Sequence, residues 1–219
     1  MSVTAKYQDY GWKHAHASHM HRHFMPHLLE LAGPLASRTR VLDVGCGNGY
    51  TASLFSERGC EVVGIDLSES GIQYARQSFP GVRFELLAAD DRILSNLATE
   101  PFDIVVSTEV IEHLYAPREC VRGCFAALKP GGRFICTTPY HGYLKNLAIA
   151  LTGKFDSHVS PLWDGGHIKL WSRRTLSQLL IETGFQDLQF RGAGRLPFLW
   201  MTMVMSGRKP CERNPAQET

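Results

Sequence analysis

Two carboxylates and an imidazole are crowded into one short stretch of the chain. Glu109, Glu112 and His113 follow an apolar strand pattern at positions i, i+3 and i+4, so on one helical turn their side chains would share a face. Two carboxylates held together would repel each other and lose hydration unless a positive charge lay between them. A divalent cation would satisfy this need. Oxygen ligands with one imidazole suit Mg²⁺ or Mn²⁺, with Zn²⁺ as an alternative.

The same residues also allow an interpretation without a metal. Glu109 would then cap a helix, Glu112 would be solvated, and His113 would pack or act as a general base, because imidazole titrates near neutral pH. His141, which follows the fifth predicted strand, is a second candidate base. The spacing alone leaves both interpretations open. In either case the candidate catalytic residues are Glu112, His113 and His141.

A glycine-rich loop occurs earlier in the chain, between a strand pattern and a helix pattern. Its residues 43–49 read D-V-G-C-G-N-G, and glycines at alternate positions let the backbone turn sharply and a ligand approach closely. Open α/β sheets bind ligands at this end of a parallel strand. The spacing differs from the dinucleotide fingerprint G-x-G-x-x-G, and no G-x-x-x-x-G-K-[ST] phosphate loop is present.

Two acidic residues close the next predicted strands. Asp66 ends the second strand, 60–68, where a carboxylate can accept both ribose hydroxyls of an adenosine. Asp90 ends the third, 82–90, a position suited to the edge of an adenine. Either residue alone could be a simple helix cap. Together with the glycine loop, in this order, they favour an adenosyl cofactor.

The elements that position these residues alternate between strands and helices. Further strands are predicted at 102–108 and 133–139, a helix at 172–184, and a final hairpin from 185–191 and 198–208. Such alternation predicts an α/β fold with a parallel sheet covered on both faces. We predict one domain over 1–208. Residues 1–39 would form an N-terminal cover, 140–171 an aromatic-rich insertion on the acceptor side, and 209–219 a disordered tail.

Six histidines lie between positions 14 and 27, which invites a metal site, but their spacing spreads them around a helix. A partly solvated helix that covers the cofactor is therefore predicted there. The aromatic residues of 140–171 fit either a satellite core or a lid over the acceptor. A lid would favour a planar or apolar-faced acceptor.

Composition excludes several classes. The chain has 219 residues, with Lys and Arg (23) nearly balancing Asp and Glu (21), so nucleic-acid binding by charge alone is not expected. No apolar run reaches the roughly 20 residues that span a bilayer, and the N-terminus lacks a secretory signal pattern. Six cysteines without a C-x-x-C pair predict buried thiols in a reducing compartment, and hence a cytoplasmic enzyme.

Four motifs, V-L-D-V-G-C-G-N-G, G-I-D-L-S, F-D-I-V-V-S-T-E-V-I-E-H-L and L-K-P-G-G-R-F, occur in order between residues 40 and 139. This order resembles the class I S-adenosylmethionine-dependent methyltransferases. The resemblance implies a Rossmann-like, doubly wound, seven-stranded sheet whose last strand is antiparallel. It also implies that the loop residues approach the methionine portion of the cofactor and that Thr108 lies near its sulfonium. The implied cofactor-binding residues are Asp43, Gly45, Gly47, Asp66, Leu67, Asp90 and Thr108.

The stretch E-x-x-E-H resembles the metal motif of the ubiquinone-pathway O-methyltransferases. It is also similar to the motif of the small-RNA 2′-O-methyltransferases, which add a later histidine. His167 would provide that histidine here, although a structural role fits it equally well. The implied metal ligands are Glu109, Glu112, His113 and His167. The segment T-P-Y departs from the T-P-N of the RNA family at Tyr140.

Methyl transfer requires an aligned acceptor whose proton is removed or weakened. A metal would lower the pKa of a hydroxyl, and His113 is the best base without one. The leading prediction is O-methylation of a small molecule such as a catechol, a quinone precursor or a sugar. N- or C-methylation and RNA 2′-O-methylation are alternatives, and a non-enzymatic binding module ranks below them. The oligomeric state stays open between monomer and homodimer.

Overall fold

The computed structural model describes residues 9, 11–159, 161–163 and 165–211. Its centre is one seven-stranded sheet in the order β3-β2-β1-β4-β5-β7-β6. Strand β7 runs antiparallel to both of its neighbours, and the other pairs are parallel. The predicted Rossmann-like sheet with an antiparallel last strand is confirmed. The strands are β1 Arg40–Val44, β2 Glu61–Asp66, β3 Arg83–Leu86, β4 Phe102–Thr108, β5 Leu128–Pro139, β6 Gln186–Ala193 and β7 Thr202–Arg208.

Helices cover both faces of the sheet. Residues of α1, α2 and α3 pack in the core on one face, and residues of α4, α5 and α8 pack in the core on the other. A 3₁₀ turn, Ile111–His113, follows β4. The helices are α1 His21–Ala32, α2 Tyr50–Ser56, α3 Glu69–Ser78, α4 Ile93–Leu97, α5 Pro117–Ala127, α6 Tyr143–Leu151, α7 Phe155–Val159 and α8 Arg173–Thr183.

The central strands are rich in apolar residues because both of their faces are buried. In β4, Val105 points into one core, while Ile104 and Val106 point into the other, as the period of two along a strand requires.

Local signals set the helix ends. The Ser68 hydroxyl accepts a hydrogen bond from Gly71 N (3.0 Å) at the start of α3. Gly184 ends α8 with a φ of +110°, a conformation that favours glycine.

Several boundaries differ from the sequence predictions. Strand β3 ends at Leu86, so the interpretation that Asp90 closes this strand is wrong. Helix α1 begins at His21, and the histidines at 14, 16 and 19 therefore precede it instead of surrounding it. Lys209 is packed, since its Nζ donates to the carbonyls of Phe125 and Leu128. Within the predicted tail, residues 209–211 are therefore ordered, and 212–219 lie outside the described residues. No helix in the described part of the chain is long and apolar enough to cross a bilayer.

Gly123 shows how closely α5 packs against the segment after β3. A methyl group at this position would overlap the Asp90 carbonyl. Because the Asp90 carbonyl is backbone and cannot rotate away, the overlap should cost about 2–3 kcal/mol, the upper part of the usual range. Alanine gains ~1 kcal/mol in helix propensity, so we expect Gly123→Ala to lower the free energy of unfolding by about 1–2 kcal/mol. Urea unfolding measures the change, and Arg122→Ala, at an exposed position of the same helix, is the matched control. A Gly123→Ala protein as stable as the wild type would contradict this packing.

Candidate active site

A cavity of about 370 Å³ opens at the carboxyl ends of β1, β2 and β4. It joins two groups of residues that the sequence places far apart. Its wall contains five of the predicted cofactor residues and all four predicted metal ligands, together with side chains from the N-terminal segment. The predicted residues in the wall are Gly45, Gly47, Asp66, Leu67, Thr108, Glu109, Glu112, His113 and His167.

The glycine loop forms one side of the cavity. Gly45, Gly47 and Gly49 all have positive φ values, of 74°, 50° and 81°, which explains why the loop needs glycine. The Trp12 ring packs against the glycine loop so closely that a Cβ at Gly47 would lie 2.6 Å from it. The loop is anchored below by two N–H groups, of Gly45 and Cys46, which donate to the Ile65 carbonyl.

Asp66 is fixed by this loop. Its Oδ2 accepts a hydrogen bond from Gly47 N and its Oδ1 accepts one from Ser68 N, both at 2.7 Å. Burial raises the pKa of Asp66, and the backbone N–H groups of Ser68 and Gly47 oppose that rise. A carboxylate can accept about four hydrogen bonds. Asp66, which lines the cavity, therefore keeps the capacity to accept further hydrogen bonds.

Asp43 occupies a different place from the one predicted. It is fully buried and is not among the residues of the cavity wall, so the predicted approach to the methionine portion is not seen. Burial and the nearby Asp66 carboxylate raise the pKa of Asp43 to about 8, and the Ala52 N–H opposes this in part. Asp43 is thus a core carboxyl beneath the loop.

This burial predicts a pH dependence of stability. A carboxyl whose pKa is higher in the folded than in the unfolded state binds its proton more tightly when folded, so stability falls as pH rises from about 4 to about 8. In the cofactor-free protein we expect Asp43→Asn to remove a fall on the order of a few kcal/mol. Urea unfolding at pH 5 and pH 9 measures it. Equal pH slopes for variant and wild type would show that Asp43 is not responsible.

Asp90 lies outside the cavity wall as well. Its Oδ1 accepts from Arg92 N at 2.8 Å, and its Oδ2 accepts from the Arg92 guanidinium at 2.7 Å. The side chain therefore caps the turn that leads into α4. Leu87 and Ala89 occupy the part of the wall where Asp90 was expected. A contact of Asp90 with adenine stays a prediction that this arrangement does not favour.

Glu112, His113 and His167 converge on one point of the wall. Each residue offers one ligand atom, and the three atoms lie within 4.8 Å of one another. His113 Nε2 is 3.8 Å from Glu112 Oε1, and the His113 and His167 ring centroids are 5.0 Å apart. Glu112 Oε1 and His167 Nδ1 are buried and have no hydrogen-bond partner in the described part of the chain.

Neighbouring groups hold these three side chains in place. The Nδ1–H of His113 donates to the Gly166 carbonyl at 3.1 Å, which directs Nε2 toward Glu112. Thr138 Oγ1 donates to Glu112 Oε2 at 2.9 Å. The backbone N–H groups of Ile168 and Lys169 both donate to the Glu112 carbonyl at 3.0 Å. These last bonds dock the segment that carries His167 onto the 3₁₀ turn.

Burial disfavours the charged forms of all three side chains in this cluster. Burial raises the pKa of Glu112 well above its usual range, and the nearby Glu109 carboxylate adds to the rise. Burial lowers the pKa of His113, and burial with the neighbouring His113 lowers that of His167 to about 4. Without a cation these shifts favour a protonated Glu112 carboxyl beside neutral imidazoles. A divalent cation would take the place of that proton and use all three side chains as ligands.

Glu109 does not join this group, although the sequence predicted it as a ligand. Its φ is +55°, so it stands in a left-handed turn before Ile111–His113, and no helical turn aligns it with Glu112. Its Oε1 instead accepts hydrogen bonds from Thr137 Oγ1 and Thr202 Oγ1, both at 2.8 Å. The prediction of two carboxylates on one helical face is wrong. The cluster has one carboxylate and two imidazoles.

His141, the second predicted base, also lies apart from the cavity wall. Its Nδ1 is 2.9 Å from Asn146 Oδ1, and its Nε2 is 3.3 Å from His158 Nε2. Burial lowers the pKa of His141 to about 4. These contacts describe a packed polar group of His141, Asn146 and His158 that lies apart from the cavity wall.

Several wall residues had no signal in the sequence. Trp12 reaches the cavity because its backbone N–H donates to Ser70 Oγ at 3.0 Å. Asn48 Nδ2 holds the following segment by donating to the carbonyls of His14 and His16. Only the prediction of a general N-terminal cover anticipated this region. The unpredicted wall residues include Trp12, Ser18, Met20, His21, Phe24, Leu87, Ala89, Val110 and Leu114.

Comparisons with known proteins identify the family of the chain. The family model described as "Methyltransferase domain" matches residues 16–189. The chain therefore belongs to the methyltransferase domain family, in its class I, S-adenosylmethionine-dependent form. A solved S-adenosylmethionine-dependent methyltransferase from Mesorhizobium loti shares the fold. It has a TM-score of 0.63 and 20% identity, over 85% of this chain and 97% of that chain.

Curated relatives include two ubiquinone biosynthesis O-methyltransferases. The Bordetella avium protein is 42% identical over 105 residues, which are 47% of this chain and 43% of that protein. The Thiobacillus denitrificans protein is 29% identical over 168 residues, which are 75% of this chain and 71% of that protein. The match to the first of these spans less than half of the relative's length.

Proposed function

We propose that this protein transfers the methyl group of S-adenosylmethionine to a hydroxyl of a small molecule. One observation carries the proposal. A single cavity wall contains both the Gly47–Asp66 hydrogen-bonded pair and the cluster of Glu112, His113 and His167. An adenosyl group held at the first would present its methyl toward an acceptor held at the second. The names of the O-methyltransferase relatives support this choice of acceptor atom.

The residues of the chain have distinct roles in this proposal. When bound, S-adenosylmethionine supplies an electrophilic methyl group on its sulfonium. Asp66 accepts the ribose hydroxyls, and Gly45 and Gly47 let the backbone approach the methionine portion. Thr108, at the end of β4 and in the wall, borders the reacting methyl. Orientation in such a site, with water excluded, provides much of the rate enhancement.

We further propose that Glu112, His113 and His167 hold a divalent cation. With one carboxylate and two imidazoles, the donor set suits Zn²⁺ or Mn²⁺, two of the three ions that the sequence analysis considers, better than Mg²⁺. The two buried atoms without partners, Glu112 Oε1 and His167 Nδ1, fit such a ligand set. A cation there would supply a positive charge that lowers the pKa of a neighbouring hydroxyl. Without a cation, His113 Nε2 would accept the acceptor proton.

N-methylation of a small molecule is the second candidate, because the fold by itself does not distinguish acceptor atoms. The test is release of S-adenosylhomocysteine from S-adenosylmethionine, measured with a panel of catechols, sugars and primary amines of matched size. We expect turnover with hydroxyl acceptors and little with amines. Turnover confined to amines would refute O-methylation, and a protein that binds NAD but not S-adenosylhomocysteine would refute the whole assignment.

The cytoplasm remains the proposed compartment. Its support is that all six cysteines are free thiols and five of them are buried, as is usual in a reducing environment.

A further inference from the structure

Two threonines on the neighbouring strands β5 and β7 hold the Glu109 carboxylate. The hydroxyls of Thr137 and Thr202 both donate to Glu109 Oε1 at 2.8 Å. Both threonines are fully buried. In the antiparallel register Thr137 lies opposite Val204 and Pro139 lies opposite Thr202, so the two hydroxyls are diagonal neighbours on one face of the sheet. We call these two residues the threonine pair.

Thr137 also fixes the backbone of Glu109. Its hydroxyl oxygen and its carbonyl oxygen both accept a hydrogen bond from Glu109 N at 3.1 Å. Glu109 has a φ of +55°, a conformation that residues other than glycine rarely adopt. One hydroxyl thus binds both ends of this residue, because it accepts from the backbone N–H and donates to the carboxylate. These bonds keep Glu109 in a conformation that its backbone does not favour.

The next residue of β5, Thr138, holds the other glutamate on the opposite face. Successive residues of a strand point to opposite faces, so Thr138 points away from the threonine pair. Its hydroxyl donates to Glu112 Oε2 at 2.9 Å. Glu112 Oε1 is left without a partner in the described part of the chain, 3.8 Å from His113 Nε2. The threonines of β5 therefore separate the two glutamates and leave only Glu112 beside the imidazoles.

Glu109 is nevertheless near the cluster of Glu112, His113 and His167. It borders the same cavity as these three residues, and its carboxylate is close enough to raise the pKa of Glu112. A released Glu109 would change the donor set from one carboxylate and two imidazoles to two of each. Zn²⁺ takes the first set in catalytic sites that keep an open coordination position. Additional carboxylate oxygens favour the harder ions Mn²⁺ and Mg²⁺.

We propose that Thr137 and Thr202 determine which metal ion the site prefers, because they keep Glu109 out of the ligand set. This inference rests on the proposed cation site and adds to it a source of selectivity outside the ligands themselves. With the threonine pair in place, three ligands and an open position favour Zn²⁺. The two threonines act through Glu109 and do not touch the ion, so they are positioning residues.

Calorimetric titration of the apo-protein with Zn²⁺ and, separately, with Mn²⁺ tests this proposal without cofactor or acceptor. The quantity compared is the ratio of the two dissociation constants. The test variant is Thr137→Val with Thr202→Val, which removes both hydroxyls and nearly keeps the side-chain shape. The matched control is Thr137→Ser with Thr202→Ser, which keeps both hydroxyls. A third protein adds Glu109→Gln to the double valine variant, so that the released side chain carries no carboxylate.

We expect the double valine variant to shift the ratio toward Mn²⁺ by about tenfold or more. The double serine variant should keep the wild-type ratio, and the added Glu109→Gln should abolish the shift. Urea unfolding verifies that each variant is folded. Thr202→Val alone is the milder change, and it should show a smaller shift in the same direction even if the double valine variant does not fold.

Co²⁺ provides a second measurement that does not depend on affinity. Wild-type protein should give the intense visible absorption of a four-coordinate ion, and the valine variants the weaker absorption of a higher coordination number. An unchanged ratio in the valine variants, a shift that persists with Glu109→Gln, or an equal shift in the serine control would overturn this proposal and leave the cation site in place. A wild-type protein that binds neither Zn²⁺ nor Mn²⁺ would remove the proposed cation site and this inference with it.

Discussion

Glu112→Gln is expected to lower the turnover number by about 10²–10⁴-fold while S-adenosylhomocysteine affinity changes less than about twofold. Glutamine keeps the size of the side chain and an oxygen that can accept from Thr138 Oγ1. It removes the ionisable carboxyl whose Oε1 lies 3.8 Å from His113 Nε2, and with it the anionic ligand that a bound cation would need. The loss should therefore appear in the chemical step and not in cofactor binding. Stopped-time assays at saturating S-adenosylmethionine, with calorimetry for S-adenosylhomocysteine, measure the two quantities separately.

Cation binding distinguishes catalysis that uses a bound cation from catalysis in which His113 alone removes the proton. Calorimetric titration of Zn²⁺ or Mn²⁺ into the apo-protein should show one site, lost in Glu112→Gln and in His167→Ala. Glu109→Gln is the matched control, because the Glu109 carboxylate is held by Thr137 and Thr202 outside the cluster. If EDTA leaves wild-type turnover unchanged, the cation role fails and proton removal by His113 remains. Full turnover in Glu112→Gln would reject any role for the Glu112 carboxyl in the chemical step, as a cation ligand or otherwise.

The sheet and the glycine loop could be predicted because their signals are local. The strand β4 was expected at 102–108 and is found there, since a run of apolar, β-branched residues that is buried on both faces has few alternatives. The glycine spacing likewise reflects positive φ values at three positions. Both features depend on residues that are close in the chain.

The composition of the metal cluster was harder to predict, because it depends on contacts that are distant in sequence. Spacing alone placed Glu109 on a face with Glu112. The structure diverts Glu109 to hydroxyls on β5 and β7 that lie 28 and 93 positions away. No sequence periodicity contains that information. His167 was identifiable only through the resemblance to known motifs, because the backbone bonds to the Glu112 carbonyl that dock its segment span more than 50 residues.

Two acids that were predicted to bind the cofactor, Asp43 and Asp90, lie outside the cavity wall. They show a second limit of prediction from the sequence. Sequence marks a carboxylate near a strand end, but it does not tell which way the side chain points. Asp43 lies within β1 and turns into the core. Asp90 lies four residues beyond the end of β3 and binds the neighbouring Arg92. Asp66, the remaining acid, does border the cavity. Its neighbour Gly47 faces the same space, so the loop and the acid act together.

Asp66→Ala is expected to weaken S-adenosylhomocysteine binding by about 100-fold or more. The change removes the acceptors for two ribose hydroxyls, and hydrogen bonds to a charged group contribute about 1.5–3 kcal/mol each. It also frees Gly47 N and Ser68 N, which Asp66 now holds at 2.7 Å, so the glycine loop loses an anchor. A 100-fold change in Kd corresponds to about 2.7 kcal/mol, which two such bonds readily supply. Calorimetry with S-adenosylhomocysteine measures the effect.

Two further variants separate the ribose contact from a general loosening of the loop. Asp66→Asn retains one oxygen that can accept from Gly47 N or Ser68 N, so we expect an intermediate loss of affinity with little change in stability. Asp90→Asn should change affinity by less than about threefold, because the Asp90 carboxylate is bound to Arg92 and lies outside the wall. A large loss in Asp90→Asn would restore its predicted place at the adenine. Wild-type affinity in Asp66→Ala would mean that Asp66 does not hold the ribose hydroxyls of the cofactor.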